Sequence, residues 1–193
     1  MTHWHDLRLE ALQRRHNARA VQGTYLLVNS GVAIAVMAGL AMATEQPFAF
    51  PSLGPTAFLV FYQPLALNAA PRSAFFGHLI GVIAGYLGLV IFGLTNVPPN
   101  LEDVNLPRVG AMAFALALTL SLMVWLGVPH APAGATTLIV ATGLMRTPEQ
   151  LVILMTAVVL LLVQAFLINR LAGVQYPAWS PAPLPAERPG ATP

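Results

Sequence analysis

The feature that most constrains this chain is where it keeps its charges. Between Arg19 and Arg146 the only charged residues are Glu45, Arg72, Glu102, Asp103 and Arg108. Uncharged stretches therefore run over 20–44, 46–71, 73–101, 109–145 and, after Glu149, 150–169. A charge at the centre of a bilayer costs about 2.5–3.5 kcal/mol on the most lenient scale, and a crossing helix needs about 20 apolar residues. Residues 24–44, 74–95 and 150–170 each hold one uninterrupted span, and 109–127 makes a fourth. Soluble domains carry about 25% charged residues. This chain has 8%, with 56% hydrophobic, which is too little polar surface to cover a globule in water. It reads as an all-α integral membrane protein.

Composition closes several other classes. Without cysteine there is no disulfide framework, thiolate zinc site or cysteine nucleophile. A net charge of +2 supplies almost no counterion release, so no nucleic-acid partner is expected. No catalytic triad, P-loop or carboxylate pair is present, so the chain is not expected to be an enzyme or to hold a cofactor. His3, His5 and His16 read as solvated groups and not as a metal site.

Two pieces do not fit a simple span. Residues 46–71 carry Pro47, Pro51, Pro55, Pro64 and Pro71 around a short apolar core at 56–62. Residues 128–145 begin Pro129-His130-Ala131-Pro132 and then run unbroken over 133–144. Helices of about 8–12 residues reach only about 12–18 Å, half a membrane. Irregular backbone at that depth survives only where protein buries it or water lines it. Both pieces are therefore expected to be re-entrant, half-membrane helices and the seat of function.

The two pieces also resemble each other. Gly54-Pro55-Thr56-Ala57-Phe58-Leu59-Val60 aligns with Gly134-Ala135-Thr136-Thr137-Leu138-Ile139-Val140, each lying between two long apolar helices. The expected architecture is four transmembrane helices plus two short ones in two similar halves, about 23–95 and 107–172. Such repeats, meeting at broken helices, are the usual build of secondary transporters. Arg8, Arg14, Arg15 and Arg19 before the first span, and Arg170 after the last, place both termini in the cytoplasm of a bacterial plasma membrane. Segment length favours four crossings. Both short pieces would then enter from the outer face, and 96–107 would lie on the same side as the termini. Six crossings would make the repeats inverted.

The flanks, 1–22 and 173–193, lie outside the membrane domain of 23–172. Residues 1–20 are expected to form a weakly amphipathic surface helix, with Trp4, Leu7, Ala11 and Leu12 roughly on one side. Ala41-Met42-Ala43 imitates a signal cleavage site, but the apolar run before it is too long for a signal peptide. Residues 174–193 hold six prolines and no apolar cluster, so this tail is not expected to pack.

Candidate functional residues gather at the odd pieces. His78 is an ionisable group inside a span, and so a functional candidate by position. It stands beside Gly77, Gly81 and Gly85, a ladder suited to close helix packing. His130 precedes the second short helix, where Pro132 suits the first helical position. A helix N-terminus at membrane depth offers N–H donors to an anion without a charged side chain. Gly54 and Gly134 would admit a ligand to the backbone, while Ser52, Thr56, Thr136 and Thr137 would add hydroxyls. Arg72 is placed as an entrance residue, with a headgroup anchor as the alternative.

Ser52-Leu53-Gly54-Pro55-Thr56-Ala57, Pro71-Arg72, Gly77-His78 and His130-Ala131-Pro132-Ala133-Gly134-Ala135-Thr136 together resemble the HPP family of integral membrane proteins, over roughly residues 24–170. Ala131 stands where the family's name-giving His-Pro-Pro run has its first proline. The resemblance implies four membrane spans and, from characterised chloroplast and cyanobacterial members, nitrite transport. The expected function is thus a transporter or channel for a small, nitrite-like anion. Its partners would be the anion and the lipid bilayer, and a chain of 20.5 kDa leaves room for a homo-oligomer. The alternatives are a non-transporting assembly or regulatory subunit, whose glycine ladder packs on another protein, and a channel for a small neutral solute.

Overall fold

The computed structural model describes residues 8–180. Among these it has seven α-helices and no strand. Helix α1 is Leu9–Arg15, and α2 is Ala18–Thr44, capped by Asn17, whose side chain accepts from the Arg19 and Ala20 amides. The short α3 is Leu53–Tyr62, followed by a 3-10 turn at Leu67–Ala69 and by α4, Pro71–Ile91. Helix α5 is Leu106–Trp125, α6 is Pro132–Ala141, and α7 is Pro148–Leu171. Proline stands in the first turn of α4, α5, α6 and α7, where its missing N–H leaves no bond unmade. A Thr147–Gln150 capping box opens α7.

Four helices, α2, α4, α5 and α7, are long and apolar enough to cross a membrane, as the charge map required. The burial pattern is that of a membrane protein. Leu27, Val28, Val32 and Val36 of α2 and Val152, Val159, Val163 and Leu167 of α7 face outward, while Ser52, Thr56, His78, Thr119, His130, Thr136, Thr137 and Asn169 are buried.

Hydrogen bonds between segments show which ends meet. The Leu9 amide donates to the Ala172 carbonyl, joining the start of the described chain to the end of α7. One turn deeper, buried Asn169 accepts from the Tyr25 hydroxyl at 3.0 Å and donates to the Val60 carbonyl at 3.0 Å. Gln22 donates to the Phe61 carbonyl. The Arg72 amide donates to the Trp179 carbonyl, and the Tyr176 hydroxyl to the Ala69 carbonyl. The start of α2, the end of α3, the start of α4 and the end of α7 therefore share one face, the terminal face. Since α4 is unbroken, residues 92–105 lie at the other, distal face.

This corrects the expected topology. Helix α2 carries the chain to the distal face, and 45–62 brings it back, so that α3 ends at the terminal face. Helix α6 runs beside α4 in the same direction, with Ala133 at Gly77 and Val140 at Gly85, and so points away from α3. Residues 96–107 lie opposite the termini. Residues 46–52 are not helical, and seven such residues reach at most about 23 Å.

The tail expectation fails for its first residues too. Tyr176 is fully buried, and burial pushes its phenol well up, so it stays a donor. The Trp179 ring packs on Phe75 and Phe76. Trp4 and residues 181–193 lie outside the described residues.

The glycine ladder holds α4 against α6 and α5 within this chain. A methyl group at Gly77 would stand 2.8 Å from the His130 Cβ, at Gly81 2.8 Å from the Ala133 oxygen, and at Gly85 2.7 Å from the Val140 Cβ. At Gly88 it would stand 2.9 Å from the Ala111 oxygen. Gly81→Ala is therefore expected to cost about 1–3 kcal/mol by overpacking, read as a lower melting temperature in detergent. Gly54→Ala, with nothing within 4 Å, should leave the melting temperature unchanged or slightly higher. Equal losses in both would show that the ladder is not the tight contact.

Candidate functional site

The two short helices begin near each other in the interior, and their first turns meet α4 at His78. The Ser52 hydroxyl, at the N-cap of α3, lies 2.6 Å from the Thr136 hydroxyl of α6. The Thr136 hydroxyl lies 2.7 Å from His78 Nδ1. On the other edge of that ring, Nε2 is 3.0 Å from the Thr56 hydroxyl. Thr56 in turn lies 3.2 Å from His130 Nε2. The His130 Nδ1 donates to the Asn68 carbonyl at 2.7 Å. The two imidazoles stand 4.9 Å apart, edge to face. Ser52, Thr56, His78, His130 and Thr136 all have 0% exposure.

Local sequence explains the convergence. Helical spacing turns Ser52 and Thr56 to one side of the first turn of α3. Gly77, one residue before His78, lets the His130 backbone press against α4. In α6, Thr136 points to this cluster and Thr137 away from it. Thr137 lies 2.9 Å from the Thr119 hydroxyl of α5 and donates to the Ala133 carbonyl.

Of the residues singled out by sequence, Ser52, Thr56, His78, His130 and Thr136 come together, and Thr137 sits beside them in a separate pair. Gly54 and Gly134 do not join them. Gly54 is exposed, and a methyl at Gly134 would meet only Leu116, at 3.4 Å. Several N–H groups at these helix starts already have partners. The Ala133 and Gly134 amides donate to the His130 and Ala131 carbonyls, and the Leu53 amide to Phe50. What converges here is a set of side chains. Arg72 sits in the first turn of α4 at the terminal face, outside the cluster.

Sequence reasoning missed Asn68, Thr119 and Arg108. Asn68 acts through its backbone, which leaves no signature in residue type. Thr119 was legible as a hydroxyl inside an apolar span. Arg108 is buried, with Nη1 3.4 Å from the Ala141 carbonyl and Nη2 3.2 and 3.1 Å from those of Val97 and Pro98. It thus ties the C-terminal end of α6, where the helix dipole is negative, to the distal loop. Its signal was its place as the last charge before a long apolar run.

These features define the class: an all-helical, multi-pass membrane protein with a buried polar centre. A family model described as HPP, transmembrane region, matches residues 15–177, and the chain belongs to the HPP family. No curated protein and no solved structure matches it.

Arg108→Met keeps the apolar stem but removes every guanidinium donor. Leaving buried carbonyls unpaired costs about 1–3 kcal/mol, so the variant should melt at a lower temperature in detergent. An unchanged melting curve would show that these bonds hold nothing in place.

Proposed function

We propose that this chain transports a small inorganic anion, nitrite first, by six passages arranged as two inverted halves, with the buried cluster as its centre. The observation that carries this reading is the enclosure of two imidazoles and three hydroxyls where the two short helices begin. Among the described residues no carboxylate is hydrogen-bonded to the cluster, so the hard oxygen anions that hold a cation are not part of it. Hydroxyl and imidazole N–H donors suit a small oxyanion. With no arginine at the centre, its charge is balanced by a proton carried on an imidazole.

The directions of the helices support the inverted arrangement. Helices α2, α3 and α4 form one half, and α5, α6 and α7 the other with the opposite hand through the membrane. Discontinuous segments meeting at the midplane are the usual site of such folds. Arginine placement supports a cytoplasmic terminal face. Arg8, Arg14, Arg15, Arg19, Arg72 and Arg170 lie there, against Arg108 and Arg146 at the distal face. The reading as an assembly subunit loses its motive, because the glycine ladder is occupied within the chain.

Two experiments test these points. In a chain without cysteine, Asn100→Cys should react with impermeant reagents only from the face opposite the termini. Reaction from the terminal side would return the chain to four passages. Liposomes holding the purified protein should take up nitrite. His78→Ala should lower uptake about ten- to a hundredfold, the worth of one hydrogen bond to a charged group, about 1.5–3 kcal/mol. If wild-type vesicles move none of nitrite, nitrate, formate and chloride, the transport reading is wrong.

A further inference from the structure

The order of donors and acceptors in the cluster carries more than a binding site. The Asn68 carbonyl can only accept, so His130 carries a hydrogen on Nδ1. With both rings neutral, His130 Nε2 is then bare and takes the Thr56 hydrogen. Thr56 has one hydrogen, so His78 Nε2 must donate to it. His78 Nδ1 is left bare and accepts from Thr136, which accepts from Ser52. This arrangement satisfies the five contacts from Ser52 to the Asn68 carbonyl, while the Ser52 carbonyl competes for the Thr56 hydrogen at 2.9 Å. The hydrogens point in a single file from Ser52 through Thr136, His78 and Thr56 to His130.

We propose that these five side chains are a proton relay, running inside the protein from Ser52 at the start of α3 to His130, on the side of the terminal face. A proton arriving at the Ser52 oxygen displaces the Ser52 hydrogen to Thr136. The Thr136 hydrogen passes to His78 Nδ1, the His78 Nε2 hydrogen to Thr56, and the Thr56 hydrogen to His130 Nε2. Each O–H or N–H bond broken is matched by one formed, no electrons change hands, and the positive charge ends on His130. Release of the His130 Nδ1 proton to a water that takes the place of the Asn68 carbonyl then completes the transfer, and rotation of the hydroxyls and rings resets the file.

Two further observations fit this path. The Thr56 hydroxyl also lies 2.9 Å from the Ser52 carbonyl. Turning its one hydrogen there breaks the file at its middle, so Thr56 is both a link and a gate. Beyond His130, Asn68 Oδ1 and Ser73 Oγ are buried without a hydrogen-bond partner. They flank the Ala70–Pro71 junction at the start of α4, where a proton leaving His130 needs acceptors. Ser52 and Thr56 from α3, His78 from α4, Thr136 from α6 and Asn68 from the 3-10 turn are the groups facing the rings. Among the described residues no carboxylate or guanidinium is bonded to them that would trap the proton.

The relay deepens the transport reading and rests on its central site, but it is measured separately. Vesicles carrying the wild-type protein and the pH dye pyranine are given a sodium nitrite gradient or, without nitrite, an imposed pH gradient and membrane potential. Internal pH and nitrite are followed in parallel. Thr56→Val keeps the shape and removes the hydroxyl, whereas Thr56→Ser restores it. Proton flux is expected to fall about a hundredfold in Thr56→Val, the lower end of what a positioned proton-transfer group contributes, and to return in Thr56→Ser. Wild-type flux that Thr56→Val leaves unchanged would overturn the relay. So would nitrite uptake by the wild type without proton movement under either driving force, although the transport reading would then stand. Proton movement without uptake of any anion would leave the relay and remove the transport reading. If Thr56→Val does not fold, Ser52→Ala, at the entry of the file, gives the same comparison against Ser52→Thr.

Discussion

The structure depends on the methyl groups that α4 lacks. Gly77, Gly81 and Gly85 bring the α6 backbone to a distance that no other residue allows, and Gly88 does the same for α5. Only at that separation can a helix of ten residues lie buried along a helix of twenty-one. Such close approach is what substitutes for a hydrophobic driving force between helices in lipid. It also places His130 beside His78 and, through them, sets the position of Thr136 and Thr56. The glycines make no contact with a ligand, yet the geometry of the polar centre follows from them.

Much of this fold was legible in the residues. Sixteen charges in a chain this long left the four spanning helices little freedom, and the proline clusters marked the two short ones. Ser52, Thr56, His78, His130 and Thr136 were each visible as polar groups out of place at membrane depth. The direction of the short helices was not visible, because residue type does not say whether a Pro-rich run is looped or extended. The ladder of Gly77, Gly81 and Gly85 was legible as a packing surface, whereas the ligand role expected of Gly54 and Gly134 finds no contact to support it. Gly54 and Gly134 occupy matched places in the repeat, but matched sequence does not mean matched contacts. Helix α3 turns Gly54 outward, while Gly134 meets Leu116. Tyr176 was hidden among prolines, and its burial depends on the Ala69 carbonyl more than one hundred residues away in sequence.

The two faces are closed by different chemistry. At the terminal face Asn169 joins α2, α3 and α7, using a neutral amide that serves as donor and acceptor at once. At the distal face Arg108 gathers carbonyls from α6 and the 92–105 loop. A guanidinium there needs no carboxylate, because it lies at the negative end of α6. Arg146 does the same one turn on, donating to the Gly143 carbonyl. Both distal arginines are thus structural groups of the second half.

These contacts divide the molecule into unlike parts. Helices α4, α5 and α6 are locked by backbone approach along the glycine ladder, where a shift of a few tenths of an ångström meets hard contact. Helices α2, α3 and α7 are joined by Asn169, Gln22 and side-chain packing. At the centre, the two parts meet through Ser52 and Thr56 on one side and Thr136, His78 and His130 on the other. Those bonds are exchangeable. A hydroxyl that parts from an imidazole can find water or a solute in its place, at a net cost of about 0.5–1.5 kcal/mol. Parting α4 from α6 offers no such replacement, because the backbone surfaces that come apart would face lipid. The weaker join at the centre is therefore the α3 side, where side-chain hydrogen bonds and not backbone approach hold Ser52 and Thr56.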